Sequence, residues 1–108
     1  MFHAYTNALD LIRALAPVVE KLKTYDANLA DQVVRAATSI TLNVSEGSKR
    51  AGRDPRRFFV MAQGSAQEVK GALDTADAWG WRVDAEHART VLDRELALLW
   101  GLCNGRKQ

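Results

Sequence analysis

Apolar residues recur every three or four positions along most of the chain, and the recurrences fall into four blocks. In the first block Leu9, Ile12, Ala16 and Val19 keep one helical phase, while Leu11, Leu15, Val18 and Leu22 widen the stripe. This spacing predicts a helix that starts near Ala4. Pro17 lies inside it, lacks a backbone donor and crowds the preceding turn, so a kink or two short helices end to end are expected. The phase carries through the proline, which favours the kink. Thr24-Tyr25-Asp26 reads as a short connection, with Asp26 as the N-cap of the next helix.

From Ala27 onward, Leu29, Val33, Ala36, Ile40, Val44 and Gly47 hold one face, and Ala30, Val34, Ala37 and Thr41 form a second face beside it. A helix with two adjacent apolar faces packs against more than one neighbour. Its length of about 24 residues corresponds to roughly 36 Å, as in a helix bundle. Gly47 is expected to cap its C-terminus, or the helix to fray one turn later near Arg50. Asp54-Pro55 marks the start of a third helix, an N-cap followed by proline at the first helical position. Phe58, Ala62, Ser65, Val69, Ala72 and Ala76 make its stripe as far as about Ala78. Trp79-Gly80-Trp81 follows as a turn with Gly80 as the cap. Asp84 is expected to cap a fourth helix bearing Ala88, Val91, Leu92, Leu96, Leu99, Leu102 and Cys103. Long helices joined by short connections pack antiparallel, so the predicted fold is all-α: one domain over residues 1–108, an antiparallel up-down-up-down four-helix bundle.

Composition narrows the picture only slightly. Two prolines and seven glycines in 108 residues argue against a turn-rich β fold, and a net charge of +2 by itself implies no partner. A single cysteine, Cys103, leaves no internal disulfide, which fits a reducing cytoplasm. No secretory signal pattern and no apolar run of about 18 residues is seen, so neither export nor a membrane span is expected.

The distribution of charge is more informative. Lys49, Arg50, Arg53, Arg56 and Arg57 crowd the connection between the second and third helices, against Asp54. Such a patch can displace counterions from nucleic-acid phosphates, RNA or DNA. The bland alternative is a solvated turn in which Lys49 and Arg50 complement a helix end. Arg56 and Arg57 sit at the positive pole of the third helix, where cations are mildly unfavourable, and that cost tilts the reading towards function. Asn43 and Glu46 on the second helix, and Ser65 and Glu68 on the third, are each spaced to share a face. Antiparallel packing would join them in a hydrogen-bonded network that fixes helix register. No ligand spacing supports a metal there. Trp79, Trp81 and Trp100 read as packing anchors more readily than as base-stacking rings. Arg82 and His87 fit a loose Arg-x4-His pattern of helical RNases, a weak third reading. Cys103 falls on an apolar stripe and reads as an inert thiol, and His3 stands near the terminus and is uninformative. No catalytic centre and no cofactor is called for.

The second and third helices resemble the four-helix-bundle family of proteins encoded in intervening sequences of bacterial large-subunit ribosomal RNA genes, a group to which the accessory proteins of diversity-generating retroelements are also related. The resemblance rests on Val34-Arg35-Ala36-Ala37-Thr38-Ser39-Ile40, on Leu42-Asn43-Val44-Ser45-Glu46-Gly47, on Phe58 or Phe59, on Ala62-Gln63-Gly64-Ser65-Ala66 with Glu68, and on the turn from Trp79 to Trp81. It departs at Val34, where the family often has a basic residue, and at Thr41, where it has proline. The resemblance implies a non-enzymatic, ring-shaped homo-oligomer, commonly a pentamer. For the retroelement members it also implies binding to nucleic acid and to a reverse transcriptase. The expected function is thus a nucleic-acid-binding or adaptor protein acting through the basic turn. The alternative is a structural module whose partner is another protein.

Overall fold

A computed structural model describes residues 2–50 and 54–105. They form four helices: α1 (His3–Lys23), α2 (Ala27–Ser48), α3 (Pro55–Ala78) and α4 (Glu86–Cys103). Each packs on two neighbours, α1 and α3 both lying against α2 and α4, so the chain closes into a square bundle. Cross-helix contacts fix the directions. Arg56 at the start of α3 meets Cys103 at the end of α4, while Arg89 near the start of α4 pairs with Asp74 and Asp77 near the end of α3. Asn7 of α1 reaches Val91 and Glu95 of α4. The expected antiparallel up-down-up-down bundle is therefore the fold. It is a rod of 44 × 21 × 20 Å, long because its helices are long.

The core is made of the stripes read from the sequence. Leu11, Leu15 and Leu22 of α1, Val33, Ile40 and Val44 of α2, Val69 and Leu73 of α3, and Leu92 and Leu99 of α4 are all essentially inaccessible. Helix α1 is not divided at Pro17. The proline is exposed, so the carbonyl it leaves without an intrahelical donor faces water. The interface between α2 and α3 is the most extensive of the four, and small buried residues such as Ala36, Ser65 and Gly47 let the two backbones approach.

The helix ends show how local chemistry sets the boundaries. The Asp26 carboxylate accepts the Leu29 amide at 3.0 Å and caps α2 as expected. Beyond α3, the Trp81 amide donates to Ala76 O and the Gly80 amide to Asp77 O, with Gly80 at φ 78°. That is a Schellman cap with glycine at its left-handed position. The other ends differ in detail. Of the two ends expected for α2, the later, near Arg50, is observed: Gly47 is no cap, α2 runs on to Ser48, and Lys49 closes it in right-handed geometry. Gly47 is instead a close-approach residue, since a Cβ there would lie 2.6 Å from the Phe59 ring. Asp54 holds the N-cap position of α3, but at φ 51°, and its side chain makes no capping bond; Pro55 needs no amide partner at the first turn. Ala85, not Asp84, is the N-cap of α4. The Asp84 carboxylate accepts the Glu86 amide from one residue further out, at 3.2 Å.

A polar pair interrupts the apolar interior. Glu95 of α4 is wholly buried, and one of its oxygens accepts from Asn7 Nδ2 at 2.9 Å. Asn7 also donates to Val91 O at 3.1 Å, while the second Glu95 oxygen has no partner. Burial pushes the Glu95 carboxyl up to about 7, with the Asn7 bond pulling in the opposite direction.

Candidate nucleic-acid interface

The basic turn closes one end of the rod. Arg53 lies outside the described residues. Lys49 is exposed at the end of α2. Arg50 donates from Nε and Nη2 to Glu46 Oε2, at 3.2 and 3.0 Å, and its guanidinium carbon lies 4.7 Å from the centroid of the Phe58 ring. Arg57 lies 4.8 Å from the same centroid, and its Nε is 3.9 Å from Asp54 Oδ2. Phe58 is thus a platform for two guanidiniums, one from each side of the turn. Cation–π contact restrains these side chains, and an anion would compete with Glu46 for Arg50 and with the looser Asp54 contact for Arg57.

Arg56 has a different role. Its Nε donates to Cys103 O at 2.8 Å, so the cation complements the negative pole of α4. This offsets the unfavourable position at the start of α3 and makes Arg56 part of the fold. Cys103 is buried, which pushes its thiol up from the ordinary value, with the Arg56 charge pulling down. A thiol held protonated is a poor nucleophile.

The four residues expected to form a polar network are only partly brought together. Asn43 Nδ2 donates to Ser39 O and Ser39 Oγ, each at 3.0 Å, and Ser65 Oγ is 2.9 Å from Ser39 Oγ. Ser39, unassigned from the sequence, is the hub. Glu46 is engaged by Arg50, and Glu68 is exposed on a shallow groove with Gln32, Arg35, Ser39 and Ser65. Because Asn43 bonds within its own helix, Asn43→Ala is expected to cost only about 0.5–1.5 kcal/mol. Ser39→Ala, which removes the link to α3 as well, should lower the thermal midpoint further. Equal midpoints for the two variants would refute the hub. Among the described residues no cluster of histidine, cysteine and carboxylates could hold a metal ion.

The opposite end of the rod carries the aromatic turn. Trp81 is half-buried, but Trp79 is 70% exposed and Trp100 is 48% exposed, so the latter two are not core anchors of this chain. Trp79 stacks on Trp81 at 6.3 Å between centroids, and Trp81 stacks on Tyr25 at 5.4 Å. Tyr25 Oη accepts the Arg82 amide at 3.2 Å. Arg82 and His87 line one groove of about 890 Å³ between α1 and the start of α4, together with Arg13 and Lys21. A separate apolar groove of about 240 Å³ runs between α1 and α2, bounded by the exposed Ile12 and Val34. No described helix is long and apolar enough to cross a membrane.

These features define the class: a small antiparallel four-helix bundle with cationic residues gathered at one end and, among the described residues, no group of ligands that could hold a metal ion. The chain belongs to the 23S rRNA-intervening sequence protein family, whose model matches residues 2–94. Comparison with curated proteins returns no significant match.

Proposed function

We propose that this protein is a non-enzymatic, oligomeric nucleic-acid-binding or adaptor protein that engages phosphates with Lys49, Arg50 and Arg57 at the α2–α3 end. The observation that carries this reading is the Phe58 ring, which gathers two guanidiniums, one from the end of α2 and one from the start of α3. Membership of a family described by a ribosomal RNA intervening sequence supports a role connected with nucleic acid. Self-association is supported by the apolar α1–α2 groove, whose walls include Ile12 and Val34, 36% and 46% exposed. A ring, such as the pentamer implied by the resemblance, would repeat the basic end once per subunit and multiply weak contacts.

The test is fluorescence anisotropy with structured RNA and duplex DNA at low and near-physiological salt. Three phosphate contacts per subunit predict a log–log salt slope of about −2.7 per subunit on duplex DNA. Lys49→Gln, Arg50→Gln and Arg57→Gln combined should abolish duplex-DNA binding while sedimentation and circular dichroism stay unchanged. Arg56→Gln is expected to lower stability instead. The α1–α2 groove also favours a second reading, an interface for another protein such as a reverse transcriptase. Absence of nucleic-acid binding at low salt, with salt-resistant capture of such a partner, would replace the first reading by the second.

A further inference from the structure

The aromatic end holds a second arrangement, independent of the basic turn and at the opposite pole of the rod. We propose that Trp79 and the groove at the inner end of its ring ladder together form a binding site for single-stranded nucleic acid, the indole stacking on an unpaired base and Lys21, Arg82 and Arg13 meeting phosphates further along the same strand.

The geometry begins with a ladder of three rings. Tyr25 and Trp81 are 5.4 Å apart and 10° from parallel, and Trp81 and Trp79 are 6.3 Å apart and 15° from parallel. The inner rungs are anchored, since Trp81 packs on the core and Tyr25 Oη accepts the Arg82 amide. The outer rung follows directly from the end of α3, where the Schellman bonds of Gly80 and Trp81 hold the backbone. Trp79 is therefore a large apolar ring kept in place yet 70% exposed. A flat aromatic face presented in this way accepts any base, because every base has a π face.

The cationic groove starts at the inner end of the ladder, at Tyr25, two rungs from Trp79. Lys21 Nζ lies 5.7 Å from the Tyr25 centroid, and Lys21 lines the same groove as Arg82, Arg13 and His87. Arg13 is held by Asp10 at 2.9 Å, but both side chains are largely exposed, so that pair exchanges readily for a phosphate. Asp84 and Glu86 also line the groove and temper its charge. Affinity there must come from stacking as well as from charge, which is the combination found in single-strand binders and absent from a purely electrostatic patch. A duplex does not satisfy the site, because its base faces already cover one another.

The test measures anisotropy of a fluorescein-labelled uridine dodecamer, the same backbone without bases, and an RNA duplex. Wild-type protein should bind the dodecamer at low salt and bind the abasic strand more weakly. Trp79→Ala should weaken dodecamer binding between about fivefold and about a hundredfold. Trp79→Phe, which keeps a stacking face, should change it less than about threefold. Lys49→Gln with Arg57→Gln should leave it unchanged, which separates this site from the turn at the other end. The proposal is overturned if the wild type does not bind the dodecamer, if the abasic strand binds as tightly, or if Trp79→Ala binds normally. It is equally overturned if the turn variant alone loses the dodecamer.

Discussion

Glu95→Gln is expected to flatten the pH dependence of stability, and to raise the melting temperature at pH 8 while changing little at pH 5. The sign follows from linkage. The folded carboxyl titrates at about 7 and the unfolded one near 4.5, so the folded state binds more protons between these values. Wild-type stability is fully present below about pH 4.5, is lost as pH rises through 7, and is level above that. The loss across this window reaches about 3 kcal/mol, because each tenfold difference in proton affinity between the folded and unfolded chain is worth about 1.4 kcal/mol. A glutamine does not ionise and escapes this loss. Its amide must stand where the second carboxylate oxygen has no partner, which returns about 1 kcal/mol or more of the gain. The net effect at pH 8 is thus a stabilisation of about 1–2 kcal/mol, or several degrees in a domain of this size. Parallel melting curves for variant and wild type from pH 5 to 8 would show that Glu95 is not buried in its charged form.

Gly47→Ala should destabilise the bundle by up to about 2 kcal/mol. In an open helix the same change would stabilise by nearly 1 kcal/mol, because alanine is the better helix former. Here the added methyl would lie 2.6 Å from Phe59 Cε1 and 3.0 Å from Cδ1. Phe59 has little room to withdraw, being 6% exposed and stacked on Phe2 at 6.1 Å. Overpacking of this kind costs about 1–3 kcal/mol. Truncating the ring removes the obstacle, so in a Phe59→Leu background Gly47→Ala should become neutral or stabilising. Additive losses in the double variant would remove the clash as the cause, with chemical denaturation at constant m-value as the measurement.

Most of the fold is legible in the sequence because its helices are long and amphipathic over many turns. The predicted ends near Ala4, Ala27 and Ala78 fall within a residue of those observed. What periodicity cannot register is an exception within a stripe. Glu95 occupies the buried stripe of Ala88, Leu92 and Leu99, and a charged residue at such a position is the one signal that could have found it. Its partner Asn7 stands beside Ala4, Ala8 and Leu11, and nothing local connects the two across 88 positions. Gly47 is legible as unusual but not as packed, since a glycine serves equally as a cap or as a gap for a neighbour. The candidate site behaves similarly. Counting cations locates the turn, but only the tertiary structure shows that Arg56 is taken by the end of α4 and that Phe58 gathers Arg50 and Arg57. For the tryptophans the sequence points to packing anchors, in the core or at an interface, and Trp79, 70% exposed, is no anchor of this chain's own core.

The buried Asn7–Glu95 bond also bears on how this chain can vary. Aliphatic side chains alone specify helix register weakly, and two helices packed only through them can slide by a turn with little change in apolar contact. A polar pair satisfied in only one alignment penalises every other alignment. Replacing either member alone by an apolar residue strands the other in the core, so a lineage can make this position apolar only by exchanging both, most simply for two aliphatic residues. Across related chains the two positions are therefore expected to co-vary, either both polar or both apolar, while the exposed residues around them drift independently.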